Sequence, residues 1–359
     1  MTENTKPLVI AVTGLNAIDS PGPGVAVIRA IRDGLSRPLR IIGLAYENLE
    51  PGIYMDDICD KTYQISYPAA GAEVLYNSIK YIHDQEGIDV IIPNFDAELF
   101  NFITIAPRLK TMGIHSFLPS FEMFDARDKL NLYAFGQKHD LLVPKDKVIY
   151  SVNELPQIGE EFGYPLVVKG KYYDAVVAYT LEQAQKAFYK ISAKWGYPII
   201  IQQYIAGTEL NVAALGDGEG NAISVIPMRK TYITDKGKAW AGITLEDEAL
   251  LDLAKKITAG TKWRGGFEIE IMKTDKDELY IMEINPRFPA WIYLSAGAGQ
   301  NQPASLVKMA LGETVEPFTT YDVGKLFIRY SWDLIVDLGK FQQFSAFGSL
   351  ENIKKKLEN

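Results

Sequence analysis

The chain has 359 residues, of which 47% are hydrophobic and 23% charged, a composition that builds a globular protein of two or three domains with a substantial core. Its formal net charge of -8 leaves no excess of basic side chains to neutralise phosphates, which argues against nucleic-acid binding as a main activity. The single Cys59 excludes an intrachain disulfide framework. The first residues lack a basic export segment, and the apolar run behind them is too short to span a membrane. A cytoplasmic protein without membrane partners is expected.

The first third alternates strands and helices. Residues 8–13 read as a short apolar strand, residues 25–35 as a helix and residues 40–46 as another strand. Residues 72–85 place Leu75, Ile79 and Ile82 at helical spacing. A strand over 89–93 and a helix over 97–109 follow. This alternation implies a parallel sheet with right-handed crossovers. The loop from Gly14 to Gly24 is glycine-rich but lacks the GxGxxG spacing, so it reads as a turn between strand and helix. Asn94, Asp96 and Glu98 are the nearest polar candidates for small-molecule contact at the strand ends. Asp96 and Glu98 equally suit the N-terminus of the next helix.

The middle third changes character. Asp128-Lys129 opens a helix running to about His139, and residues 163–169 form a buried-type strand ending on Lys169. Residues 181–195 are an amphipathic helix with Ala184, Ala187, Phe188 and Ile191 on its apolar stripe. An apolar strand over 197–201 runs into Gln202-Gln203-Tyr204-Ile205, a polar pair beside an apolar slot of the kind adenine recognition uses. Arg229 and Lys230 read either as a binding pair for a carboxylate or phosphate or as a solvated basic pair. Tyr172, Tyr173 and Trp291 either line substrate space or pack. His83, His115 and His139 have no metal-ligand spacing.

Two acidic strands follow, Gly265 to Met272 and Leu279 to Arg287, separated by a polar turn. Their period-two alternation predicts an antiparallel hairpin. Pairing Lys273 with Tyr280 sets Glu270 opposite Glu283 and Glu268 opposite Asn285 on one face. Opposed carboxylates require a cation, and oxygen ligands suit Mg²⁺ with nucleotide phosphates in its shell. Towards the C-terminus, residues 303–311 read as a helix ending at Gly312, residues 325–332 as a strand and residues 350–357 as a basic helix.

Taken in order, Asp128-Lys129, Tyr164-Pro165 to Lys169, Gln202 to Glu209, Glu270 and Glu283-Ile-Asn285-Pro-Arg287 resemble the ATP-grasp superfamily. The likeness is to its carboxylate-amine ligase branch, related to biotin carboxylase and carbamoyl-phosphate synthase. It implies an α/β and α+β chain: a Rossmann-like parallel sheet over 1–120, an ATP-grasp small lobe over 121–205, a large lobe over 206–315 and a closing strand and helix over 316–359. It implies ATP as cosubstrate with one or two Mg²⁺ ions, Mn²⁺ being an alternative. Lys129, Lys169 and Lys171 then face nucleotide phosphates, Gln202, Gln203, Tyr204 and Ile205 meet adenine, and Glu209 contacts the ribose. Glu270, Glu283 and Asn285 bind metal, Arg287 steadies the transferring phosphate, and Lys230 is a second catalytic candidate.

Two departures from the family pattern stand out. Gln202 occupies a position where relatives often carry Glu, and the run after Lys169 has one glycine where relatives have a Gly/Ser-rich lid. The implied activity is ATP-dependent ligation of a small-molecule or peptide carboxylate to an amine, through an acyl phosphate. A catalytically silent nucleotide-binding or regulatory protein is the alternative. A homodimer is compatible with the resemblance.

Overall fold

The computed structural model describes residues 6–18, 20–171, 174–234 and 237–352. Tyr172 and Tyr173 therefore lie outside the described residues, as do residues 353–359. The chain forms two compact units. One comprises residues 1–123, 211–268 and 285–359, and the other residues 124–210 and 269–284.

In the first unit, β1 (Leu8–Thr13), β2 (Leu39–Ala45), β3 (Lys61–Gln64) and β4 (Val90–Ile92) are parallel, in the spatial order β3-β2-β1-β4. Strands β1 and β2 are near-continuous hydrophobic runs because both faces of a parallel sheet are covered. The helix Gly24–Gly34 lays Val27, Ile28 and Ile31 into the core, and the helix Ala72–Glu86 lays down Leu75, Ile79 and Ile82. The helix Asp96–Thr111 begins directly after β4. Glu98 holds that junction: its Oε1 accepts from the backbone of Asn94 (2.7 Å) and Phe95 (3.0 Å) and from Thr13 Oγ1 (2.5 Å), and its Oε2 accepts from the Tyr46 hydroxyl.

The second unit carries an antiparallel sheet of β5 (Asp146–Ile149), β6 (Leu166–Gly170), β7 (Ala175–Ala178) and β8 (Ile199–Gln203), in the order β5-β8-β6-β7. Leu166, Val168, Ile199 and Ile201 pack with Ala184, Ala187, Phe188 and Ile191 of the helix Leu181–Trp195. Because side chains alternate along a strand, Val167, Lys169, Ile200 and Gln202 occupy the opposite face.

A six-stranded sheet has the order β13-β12-β9-β10-β11-β14. Its strands are β9 (Thr208–Asp217), β10 (Ala222–Ile233), β11 (Ala239–Thr244), β12 (Arg264–Lys273), β13 (Leu279–Asn285) and β14 (Leu326–Ile328). The division between the two units falls within β9, β12 and β13. No described helix is long and apolar enough to cross a membrane.

Three expectations are corrected. Asp128 does not open a helix: residues 127–131 form a turn between the helices Phe121–Ala126 and Leu132–His139. Asp128 Oδ1 accepts from the Leu130 amide at 3.0 Å, and its carbonyl from the Asn131 amide at 2.8 Å, which competes with helix formation. The strand expected over 325–332 is only β14. The expected start of a C-terminal basic helix is instead β15 (Ser349–Glu351), which pairs antiparallel with β3, Leu350 lying opposite Thr62.

Candidate nucleotide and metal site

In the second unit the face of the antiparallel sheet away from the helix Leu181–Trp195 carries polar groups that do not belong in a core. Lys169 is half-buried, and its strand neighbours Val168 and Gly170 are buried. Burial holds its ammonium below the usual lysine range, and Lys129 pushes the same way, whereas Glu283, Glu270 and Asp146 pull it back. Lys129, in the turn before the helix Leu132–His139, lies 3.5 Å from Glu283 Oε2. Two ammoniums and two hairpin carboxylates thus share one electrostatic cluster. The Asp146 carboxyl belongs to it too: burial pushes it up to about 6 against the pull of Lys169.

Asp146 stands directly opposite Gln202 in the β5/β8 register. Gln202 is buried, and its Oε1 has no hydrogen-bond partner. An unmet buried acceptor is costly, so this oxygen fits a donor such as an exocyclic amine. The Gln203 amide donates to the Lys145 carbonyl at 2.8 Å, Tyr204 is exposed and Ile205 is buried. Glu209 lies near the start of β9, half-buried. Lys171 follows β6 directly. Beside it the Gly170 amide donates to the Asp174 carbonyl at 3.0 Å, and Lys169 pairs with Ala175. Asp174 is tied by Lys194 (3.0 Å) and by Trp195 Nε1 (2.8 Å). Gly170 and Asp174, on either side of residues outside the description, are thus bonded to each other.

The donor set fits Mg²⁺. Glu270 and Glu283 supply hard oxygens, and Mg²⁺ is commonly held by one or two carboxylates while phosphates and waters complete its shell. Among the described residues no three His, Cys, Asp or Glu side chains form a metal cluster.

In the first unit the end of the hairpin is organised around Glu268, which is buried. Its Oε1 accepts from Trp291 Nε1 at 2.8 Å and from Asn211 Nδ2 at 3.1 Å, and its Oε2 from Asn285 Nδ2 at 3.2 Å. Arg287 Nη1 lies 3.6 Å from the same carboxylate, and Arg287 Nε donates to Asp96 Oδ2 at 3.0 Å. Glu268 therefore turns the Asn285 amide so that its nitrogen faces inward. Trp291 is 6% exposed and is a packed member of this hub, not an open platform. Lys230 lies on β10 and donates to the Gly237 carbonyl at 3.3 Å. Asn94 and Glu98, read from sequence as contact candidates, are consumed in the β1/β4 junction, whereas Asp96 turns towards Arg287.

Sequence reasoning did not single out Asp146, Asn211 or the hub role of Glu268. Asp146, in Pro144-Lys145-Asp146, reads as a turn residue, and only the β5/β8 register reveals it. Asn211 follows Glu209 at period two, a faint signal.

Comparison with known proteins finds a family likeness in the central segment. Residues 197–327 match the family model described as "ATP-grasp in the biosynthetic pathway with Ter operon". This segment is thus similar to an ATP-grasp domain. The arginine-specific large chain of carbamoyl phosphate synthase from Bacillus subtilis is 24% identical over 217 residues, covering 57% of this chain and 21% of that relative. The match thus spans about a fifth of the length of that curated relative. Among solved structures, biotin carboxylase from Campylobacter jejuni superposes with a TM-score of 0.69 at 16% identity, covering 89% of this chain and 74% of that one. N5-carboxyaminoimidazole synthase from Aspergillus clavatus, solved with ADP and an aminoimidazole ribonucleotide, gives a TM-score of 0.66 at 15% identity, covering 87% and 78%. These likenesses establish an ATP-grasp fold over most of the chain.

Proposed function

We propose that this ATP-grasp chain is an ATP-dependent ligase that activates a carboxylate as an acyl phosphate for attack by an amine, releasing ADP and phosphate. The observation that carries this reading is the cluster of Lys129, Lys169, Glu270 and Glu283, two cations beside two oxygen-ligand carboxylates. A free carboxylate is a poor electrophile. Its oxygen attacks the γ-phosphorus of ATP, the O–P bond to ADP breaks, and the bridging electron pair leaves with ADP. The amine nitrogen then attacks the carbonyl carbon, the C–O bond to phosphate breaks, and the amine proton passes to solvent.

Such a reaction needs positioning and charge neutralisation more than covalent chemistry from the protein. Lys129 and Lys169 would hold phosphates, with Lys171 beside them. Gln202 through Ile205 would meet the base, and Glu209 the ribose. Glu270, Glu283 and Asn285 would hold Mg²⁺, which when bound neutralises phosphate charge. Arg287, anchored by Asp96, would turn its guanidinium to the transferring phosphoryl group. Lys230 would meet a substrate carboxylate. The amine and acid belong to the amino-acid, peptide or small-amine class.

The glycine-poor sequence after Lys169 favours a second reading, a catalytically silent nucleotide-binding protein, because it offers less backbone freedom to fold over a triphosphate. ADP release measured across pools of amino acids, peptides and small carboxylates decides between them. Stimulation by one acid-plus-amine pair supports the ligase, and nucleotide binding with no turnover in any pool overturns it.

A further inference from the structure

The strongest feature that the ATP-grasp reading leaves unused lies in the first unit, at Arg329. Its side chain is half-buried, yet among the described residues it pairs with no carboxylate. Burial pushes the guanidinium down to about 10, and no neighbouring acid pulls it back. Burying a cation without a counter-charge is costly, and a surface arginine would turn out to water instead. This one is held in place. Its amide donates to the Trp240 carbonyl at 2.8 Å and its Nε to the Ala239 carbonyl at 2.8 Å. Its guanidinium carbon lies 5.7 Å from the centroid of the Phe327 ring. With Nε engaged, Nη1 and Nη2 form the fork that fits the two oxygens of one carboxylate. Neither Nη belongs to the buried atoms that lack a partner, so the fork is open to a ligand.

The sheet gives Arg329 a neighbour of the same charge. Phe327 of β14 stands opposite Gly242 of β11, and Gly242 opposite Lys230 of β10. A Cβ on Gly242 would come within 2.5 Å of Met228 Sδ and 2.8 Å of Phe327 Cε1, so both side chains close over that glycine on one face. Side chains alternate along a strand, which puts Lys230, two residues beyond Met228, and Arg329, two residues beyond Phe327, on that face too. The irregularity of β10 begins only after Lys230. Lys230 Nζ donates to the Gly237 carbonyl at 3.3 Å. The carbonyls that receive the two cations thus come from residues two apart, a reach of at most about 7 Å. The same face carries the Glu268 hub. Phe288 and Trp291, the latter bonded to Glu268, share the core cluster of Met228, against which Phe327 packs.

We propose that Arg329, with Lys230 beside it, is a specificity site for a substrate carboxylate that the reaction does not consume. Strand β14 stands at the edge of its sheet opposite β13, the strand that leads to Arg287. Arg329 therefore holds a different carboxylate from the one activated beside Arg287. That second carboxylate belongs either to the amine, as the free carboxylate of an amino acid or peptide, or to the acid, as the spare end of a dicarboxylic acid. A simple amine joined to a monocarboxylic acid would leave the guanidinium unmatched. The inference rests on the ligase reading for its substrates, whereas the carboxylate seat itself is open to test by binding alone.

Calorimetry of the full chain with L-amino acids, short peptides and short dicarboxylic acids, each beside its amide, makes that test. At least one free carboxylate should bind wild type about tenfold or more tightly than its amide, the worth of a charge-assisted hydrogen bond. Arg329→Met should lose that preference while keeping the circular dichroism spectrum and the affinity for ATP. Arg329→Lys should keep only part of it, because an ammonium lacks the fork, and it carries the same test should the Met variant fail to fold. A response to amino acids or peptides assigns the carboxylate to the amine, and a response to dicarboxylic acids assigns it to the acid. A wild type that prefers no carboxylate to its amide, or that takes inorganic phosphate over all of them, overturns the inference. So does a preference that survives in both variants. The two readings fail separately. Carboxylate binding lost in Arg329→Met, with no ADP release from any substrate pool, keeps the seat and removes the ligase. ADP release at an unchanged KM in Arg329→Met keeps the ligase and removes the seat.

Discussion

Glu98 offers a prediction whose size follows from its surroundings. Its carboxyl is 1% exposed, and burial pushes it from 4.5 up to about 7, even though Thr13, Tyr46 and the Phe95 and Asn94 amides all donate to it. A carboxyl raised in the folded state binds more protons than the unfolded chain between those two values. The contribution of Glu98 to stability is therefore fullest below about pH 4.5 and is lost as pH rises towards 7. At 1.36 kcal/mol per unit the loss is at most about 3 kcal/mol. Glu98→Gln removes the ionisation, and its amide keeps an acceptor for Thr13 and the backbone while the Tyr46 hydroxyl turns to accept. Urea unfolding of both proteins, read by hydrogen exchange of the β1 amides, isolates the contribution, since other groups cancel in the difference. The variant should match wild type at low pH and gain on it steadily up to neutrality. A difference that is flat with pH refutes the burial argument.

Other outcomes follow from the same structure. Lys169→Met should leave the apo fold at least as stable, because burial and Lys129 both disfavour its charge. It should weaken ATP binding about tenfold or more, the worth of a charge-assisted hydrogen bond, and unchanged affinity by calorimetry would remove Lys169 from the site. Gly266→Ala places a Cβ 2.4 Å from the buried Phe288 ring and should lower stability by about 1–3 kcal/mol. An unaltered urea midpoint would show that the ring gives way. Burial pushes the Cys59 thiol up to about 12, so a thiol reagent should label it only as the fold opens. Rapid stoichiometric labelling of native protein contradicts that.

How far the fold was legible depended on periodicity. The β1 strand and the helix Leu181–Trp195 agree with their sequence patterns, because one is an unbroken apolar run and the other has a clear 3.6-residue stripe. The Asp128 turn was misread because side-chain bonds to backbone amides, invisible in hydrophobic patterning, stop the helix before Leu132. The helix Glu248–Thr261 was missed in the interval between better-marked motifs, although Asp247 caps it through the Leu250 amide. Within the candidate site, Lys129, Lys169, Glu270 and Glu283 are legible as motif pieces. Their mutual fields were not, because they depend on which residues a long-range register brings together. Asp146 shows this most plainly: it acquires meaning only opposite Gln202. Glu268 shows the converse, since period two put it on the carboxylate face but could not reveal that Asn211, Asn285 and Trp291 all donate to it.

The central claim is that the hairpin carboxylates hold the metal that nucleotide phosphates bring with them. The affinity of wild type and Glu283→Gln for ATP, each measured with and without Mg²⁺, tests it most directly. Wild type should bind ATP more tightly when Mg²⁺ is present, and the variant should lose that gain while keeping its fold and melting temperature. A Glu283→Gln protein that retains the full Mg²⁺-dependent gain would contradict the account.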